Sequence, residues 1–144
     1  MIILDTNVVS EPMRVAGDPA VRAWLDAQVA ETLYLTSVSL AELLSGIAAL
    51  PAGRRRDGLD EKLGDLLQTL FGPRILPFDT EAARAFSGLQ ARARVKGSAI
   101  GFADGQIAAI ANTLGFAVAT RDTVPFLAAG VPVIDPWREG AALL

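Results

Sequence analysis

Neither cysteine nor histidine occurs anywhere in the 144 residues. The first absence removes disulfides, thiolate zinc sites and cysteine nucleophiles. The second removes Ser-His-Asp hydrolysis, imidazole general bases and imidazole metal ligands. Chemistry in this chain must therefore come from carboxylates, hydroxyls, amides, lysine or arginine. A metal held by such oxygens alone is a hard one, Mg²⁺ or Mn²⁺ rather than zinc. No Gly-x-x-x-x-Gly-Lys stretch exists, which excludes a P-loop nucleotide binder. Every apolar stretch is interrupted within about a dozen residues, too short to cross a bilayer. No basic segment precedes an apolar run at the N-terminus, so a soluble, cytoplasmic protein without a membrane partner is expected.

What is present reads as one domain, residues 1–144, long enough to bury a substantial core. Hydrophobic residues make up 51%, slightly above the usual range, which favours a buried oligomer or partner surface. Ile2-Ile3-Leu4 runs into Asp5-Thr6-Asn7, a buried strand delivering an acid to turn chemistry. Asp18-Pro19 reads as a helix cap with proline at the first helical position, followed by Val21, Trp24, Leu25 and Val29 on one face. Thr32–Thr36 alternates as a second strand, and Ser39 opens a helix. Residues 51–58 read as a loop, followed by an amphipathic helix over residues 59–70. Ile75–Phe78 is a short third strand, and Asp79 or Thr80 caps the next helix. Phe102–Leu114 forms a helix closed by Gly115, Phe116–Thr120 a fourth strand, and residues near Pro125–Ala129 a short helix. Val131–Ile134 carries a proline and suits an edge strand. Strands alternating with helices predict a Rossmann-like α/β/α sandwich around a central, mainly parallel sheet of about five strands.

Four carboxylates have candidate positions at the carboxyl edge of that sheet, where ligands bind in such folds. Asp5 ends the first strand and Asp122 follows the fourth; Glu42 and Asp104 lie early in helices whose starts approach the same edge. Four anions gathered in a cleft repel unless a cation neutralises them, which points to a metal site. Bland readings compete. Ser39-Leu40-Ala41-Glu42 makes a good capping box, and Asp122 with Thr123 suits a helix cap. Asp104 sits among Phe102, Ala103, Ile107, Ala108 and Ala111, where an unpaired carboxylate is costly. Thr6 or Asn7 would serve as a cap as well as Asp5 would. Asp5 and Asp104 therefore lead the functional reading. Glu11 has an open reading, toward the cleft or elsewhere; Arg54-Arg55-Arg56 reads as a solvated loop, and both tryptophans as packing.

The pattern resembles the PIN domain, and within it the VapC-type toxins of bacterial toxin–antitoxin pairs, the FitB-like subgroup especially. The resemblance rests on Leu-Asp-Thr-Asn-Val-Val-Ser-Glu-Pro at 4–12, Ser-Leu-Ala-Glu-Leu at 39–43, Ala-Asp-Gly-Gln-Ile-Ala-Ala at 103–109 and Ala-Thr-Arg-Asp-Thr at 119–123. Residues 75–79 and Asp135-Pro136-Trp137 add to it. It implies a PIN-like fold with an acidic quartet at Asp5, Glu42, Asp104 and Asp122, supported by Thr6, Asn7 and Thr120. It further implies a Mg²⁺-dependent endoribonuclease, with Mn²⁺ as substitute, that cuts RNA to leave a 5′-phosphate and a 3′-hydroxyl. The implied partners are a second copy of the chain in a homodimer and a small cognate antitoxin, through which operator DNA is bound indirectly. With the four acids set aside, the net charge of −3 becomes +1, so bulk charge does not attract RNA. Two rivals stand beside this reading. One is a catalytically silent scaffold that binds an antitoxin; the other is a haloacid-dehalogenase-type phosphatase, which would want an aspartate where Asn7 stands.

Overall fold

The structure, a computed structural model, describes residues 1–144. Five strands, β1 (Ile2–Leu4), β2 (Leu33–Thr36), β3 (Ile75–Leu76), β4 (Ala117–Ala119) and β5 (Val133–Ile134), form one sheet in the order β3-β2-β1-β4-β5. Every pairing is parallel, as the strand–helix alternation predicted. Seven α-helices cover it: α1 (Thr6–Ser10), α2 (Pro19–Asp26), α3 (Ser37–Ala48), α4 (Arg54–Leu66), α5 (Thr80–Val95), α6 (Phe102–Leu114) and α7 (Thr123–Ala128).

The strands' period of two divides the core into two layers. Ile3, Val118 and Val133 face the layer containing Leu89, Ile107, Ala108 and Phe126 of α5, α6 and α7. Their neighbours Leu4, Ala119 and Ile134 face the opposite layer, with Val8, Val21, Leu43, Ile47 and Leu63 of α1 to α4. Because both faces are covered, the strands read as continuous apolar runs. No helix is long and apolar enough to cross a membrane.

Several boundaries depart from the sequence expectations. Residue 54 already starts α4, so Arg54-Arg55-Arg56 forms a helical first turn, and the connection spans residues 49–53 where a loop over 51–58 was expected. Helix α2 ends at Asp26, which leaves Val29 outside it and exposed. The third strand is only two residues long. Others hold: Asp18 and Asp79 each accept a backbone N–H as caps. Gly115 closes α6 with φ 69° and ψ 30°, a left-handed conformation that glycine adopts without strain.

Candidate metal centre

Strand order sets the position of the site. The chain builds outward from β1 to β2 and β3, then returns to add β4 and β5 on the other side. The carboxyl ends of β1 and β4 flank the switch point, where a crevice opens in such sheets. Leu4 pairs with Ala119, so Asp5 and Thr120 emerge side by side. The Asp5 N–H donates to the Ala119 carbonyl at 3.0 Å, extending the ladder by one bond.

Asp5 is 4% exposed and holds three donors. Its Oδ1 accepts the Thr6 N–H at 2.8 Å, while Oδ2 accepts Thr120 Oγ1 at 2.7 Å and Asn7 Nδ2 at 3.3 Å. The first of these makes Asp5 itself the cap of α1, a role for which the sequence offered Thr6 and Asn7 equally. Thr120, fully buried, also accepts the Asp122 N–H at 3.0 Å. Asn7 Nδ2 lies 3.4 Å from Thr120 Oγ1 and 3.5 Å from Asp122 Oδ2. Thr6 Oγ1 donates to Glu42 Oε1 at 3.0 Å. Through backbone and side-chain groups, Thr6, Asn7 and Thr120 therefore tie Asp5 to Glu42 on one side and Asp122 on the other.

Both cap readings fail. Thr36 caps α3, accepting the Ser39 N–H at 3.0 Å, and Ser39 is fully buried with its hydroxyl unpartnered. Glu42 is thus not part of a capping box; it is exposed and turned to Thr6. Asp122 precedes α7, but its side chain makes no capping bond. Asp104 lies in the first turn of α6, half-buried, whereas its neighbour Phe102 is 68% exposed. The packing around Asp104 is thus looser than the sequence suggested. Glu11 is spoken for elsewhere: it accepts the Asp18 N–H at 2.9 Å and pairs with Arg14 at 3.4 Å.

Electrostatics bind the four acids into one group. Burial pushes the Asp5 carboxyl up from 3.8 to about 6, and repulsion from Asp104 and Glu42 adds to it; the Thr120 and Thr6 donors pull the other way. Burial also raises Asp104, as do the charges of Asp122 and Glu42, with no hydrogen bond offsetting them. The chain's ion pairs, Arg14–Glu11 and Arg138–Asp135, involve none of the four. Unbalanced charge and an all-oxygen donor set fit a hard divalent cation. In their present positions no three of the carboxylates already form a ligating cage.

From Thr6 and Glu42 the cleft opens into a groove of about 950 Å³. Met13, Leu43, Ile47 and Leu59 line it with apolar surface, and Arg14, Arg54, Arg55 and Lys62 add four cations. Its two arginines from α4 come from the segment that the sequence read as a solvated loop. Their opening of a helix was masked by Pro51, Gly53 and Gly58 around them.

A parallel five-stranded sheet with acids at its switch point is the PIN architecture, and residues 2–130 match the PIN domain model: the chain belongs to that family. Its relatives include a named ribonuclease and a named toxin. VapC ribonuclease Y4jK of Sinorhizobium fredii is 54% identical over 139 residues, 96% of this chain and 99% of that protein. Toxin FitB of Neisseria gonorrhoeae is 44% identical over 139 residues, 96% of this chain and 100% of that one. The structure of FitAB bound to an IR36 DNA fragment matches with a TM-score of 0.92 at 42% identity, covering 96% of this chain and 97% of the other.

Proposed function

We propose that the chain is the ribonuclease toxin of a toxin–antitoxin pair, hydrolysing RNA phosphodiester bonds with Mg²⁺ at Asp5, Glu42, Asp104 and Asp122. The observation that carries this is the four-carboxylate group without a cationic partner, two of whose members are held above the ordinary carboxyl range. Likeness to a VapC ribonuclease and to FitB supports the nuclease and toxin parts of the reading.

Asp5 and Asp104 would hold the cation, and Glu42 and Asp122 would complete its shell directly or through water. When bound, such a cation lowers the pKa of water and offsets charge on the phosphoryl oxygens, so no histidine is needed. Thr120 and the Thr6 N–H fix the Asp5 carboxylate, leaving its orientation independent of the cation. Thr6 steadies Glu42, and Asn7 spans Asp5 and Asp122. Water attacks phosphorus and gives up a proton, the P–O3′ bond breaks and the departing 3′ oxygen takes up a proton, giving a 5′-phosphate and a 3′-hydroxyl.

The groove beside Glu42, lined by Met13, Leu43, Ile47 and Leu59 and by the cations Arg54, Arg55 and Lys62, would suit an apolar antitoxin segment that carries acidic side chains. FitAB as a DNA complex supports operator binding through that antitoxin. A homodimer is part of the same reading, and Phe102, Val124 and Leu127 offer exposed apolar surface for it. Purified protein should cut RNA in Mg²⁺ and stop when EDTA is in excess. Undiminished cleavage in EDTA rejects the metal mechanism.

A further inference from the structure

Between Thr120 and Asp122 stands a side chain of opposite sign. Arg121 is exposed, and its guanidinium carbon lies 5.4 Å from the centre of the Trp137 ring. At that distance a cation is held on an aromatic face. Its backbone N–H donates to Asn7 Oδ1 at 3.3 Å, from the same amide whose Nδ2 faces Asp5 and Asp122. The residue is therefore built into the acidic network through its backbone. Its side chain is not: neither of the chain's ion pairs includes Arg121. The Trp137 segment is itself anchored, since the Trp137 N–H donates to Asp135 Oδ1 at 3.0 Å. Trp137 is half-buried, packed against the layer containing Leu4 and Ala119. Arg121 is the chain neighbour of Asp122, and its guanidinium rests on the Trp137 ring instead of pairing with a carboxylate.

We propose that Arg121, steered by Trp137, binds a backbone phosphate of the RNA strand next to the phosphate being cut. This rests on the ribonuclease reading. The cleft is anionic and the remaining chain nearly neutral, so attraction of a polyanion falls to local cations. Guanidinium suits that task because its planar fork grips two phosphate oxygens together. Arg121 is then a substrate-binding residue, and Trp137 a positioning residue acting through it.

The test uses the full chain carrying Asp104→Asn to stop turnover, with Mg²⁺ and a short mixed-sequence, fluorescently labelled single-stranded RNA. Anisotropy titrations over a range of KCl give affinity and salt dependence. Adding Arg121→Gln should weaken binding roughly tenfold and make the salt slope shallower by about 0.7, the share of one phosphate. Arg121→Lys should keep the slope while binding less tightly. Trp137→Leu should fall toward Arg121→Gln, and Trp137→Phe should restore most of the loss. With Asp104 intact, Arg121→Gln should raise KM and leave kcat nearly unchanged. Unchanged affinity and slope in a folded Arg121→Gln protein overturn the proposal while leaving the ribonuclease reading in place. RNA left uncut by the protein with Asp104 intact, together with no binding by the Asp104→Asn protein, overturns both.

Discussion

Asp5 is the residue at which the cost of the site can be measured. Burial lifts its carboxyl from 3.8 to about 6, so the folded protein without metal keeps a proton that the unfolded chain has released. Between those two values the native state binds more protons, and stability falls as pH rises. The stabilising contribution is complete below pH 4 and lost once pH passes 6; the gap is worth about 3 kcal/mol. In EDTA, Asp5→Asn should therefore melt above the parent at pH 7 and together with it at pH 4. A variant that melts lower at pH 7 contradicts the buried-charge account. Thr120 works against that cost by donating to Asp5 at 2.7 Å. Partners behind a metal ligand typically carry 10–100-fold in metal affinity, so Thr120→Val should shift the Mg²⁺ dependence of cleavage upward by roughly that factor. An unchanged Mg²⁺ midpoint would show that Thr120 does not orient Asp5.

At the scale of elements, α6 carries the most constraint. Its first turn presents Asp104, and the next residue, Gly105, is pressed by the Phe86 ring of α5; a Cβ there would meet Phe86 Cε2 at 2.7 Å. Gly105→Ala must push ring or helix aside. A cost of about 1–3 kcal/mol in thermal or urea unfolding is expected. Phe86→Leu should recover part of it in a double-mutant cycle, and additive effects would locate the strain elsewhere. Much of this level was legible in the sequence, because Gly115, Pro19 and Asp79 act through local chemistry that any fold would use. Glu42 was harder. Ser39 and Thr36 both carry a hydroxyl three residues from a backbone N–H they could take, and only the end of β2 at Thr36 decides which one caps. Arg54–Arg56 went astray for a similar reason, since glycines at 53 and 58 looked like a loop but lie before and within α4.

For the whole molecule, the strand order is what four separated motifs could not state by themselves. Residues 5 and 122 are distant in sequence, yet parallel pairing of Leu4 with Ala119 sets their neighbourhood. Trp137 read as a packing residue, and its pairing with Arg121 was not legible because the two residues lie on either side of β5 in the chain. The acid group itself was readable from the ends of predicted strands and the starts of predicted helices. Its interconnection through Thr6, Asn7 and Thr120 gives those positions their meaning. On the proposed function, these carboxylates cut RNA with a divalent cation. The most direct measurement compares Mg²⁺-dependent RNA cleavage by the parent and by Asp104→Ala, with circular dichroism showing both folded. Cleavage falling at least about a hundredfold in the variant is the predicted result. Cleavage at the parent's rate by folded Asp104→Ala would contradict the account.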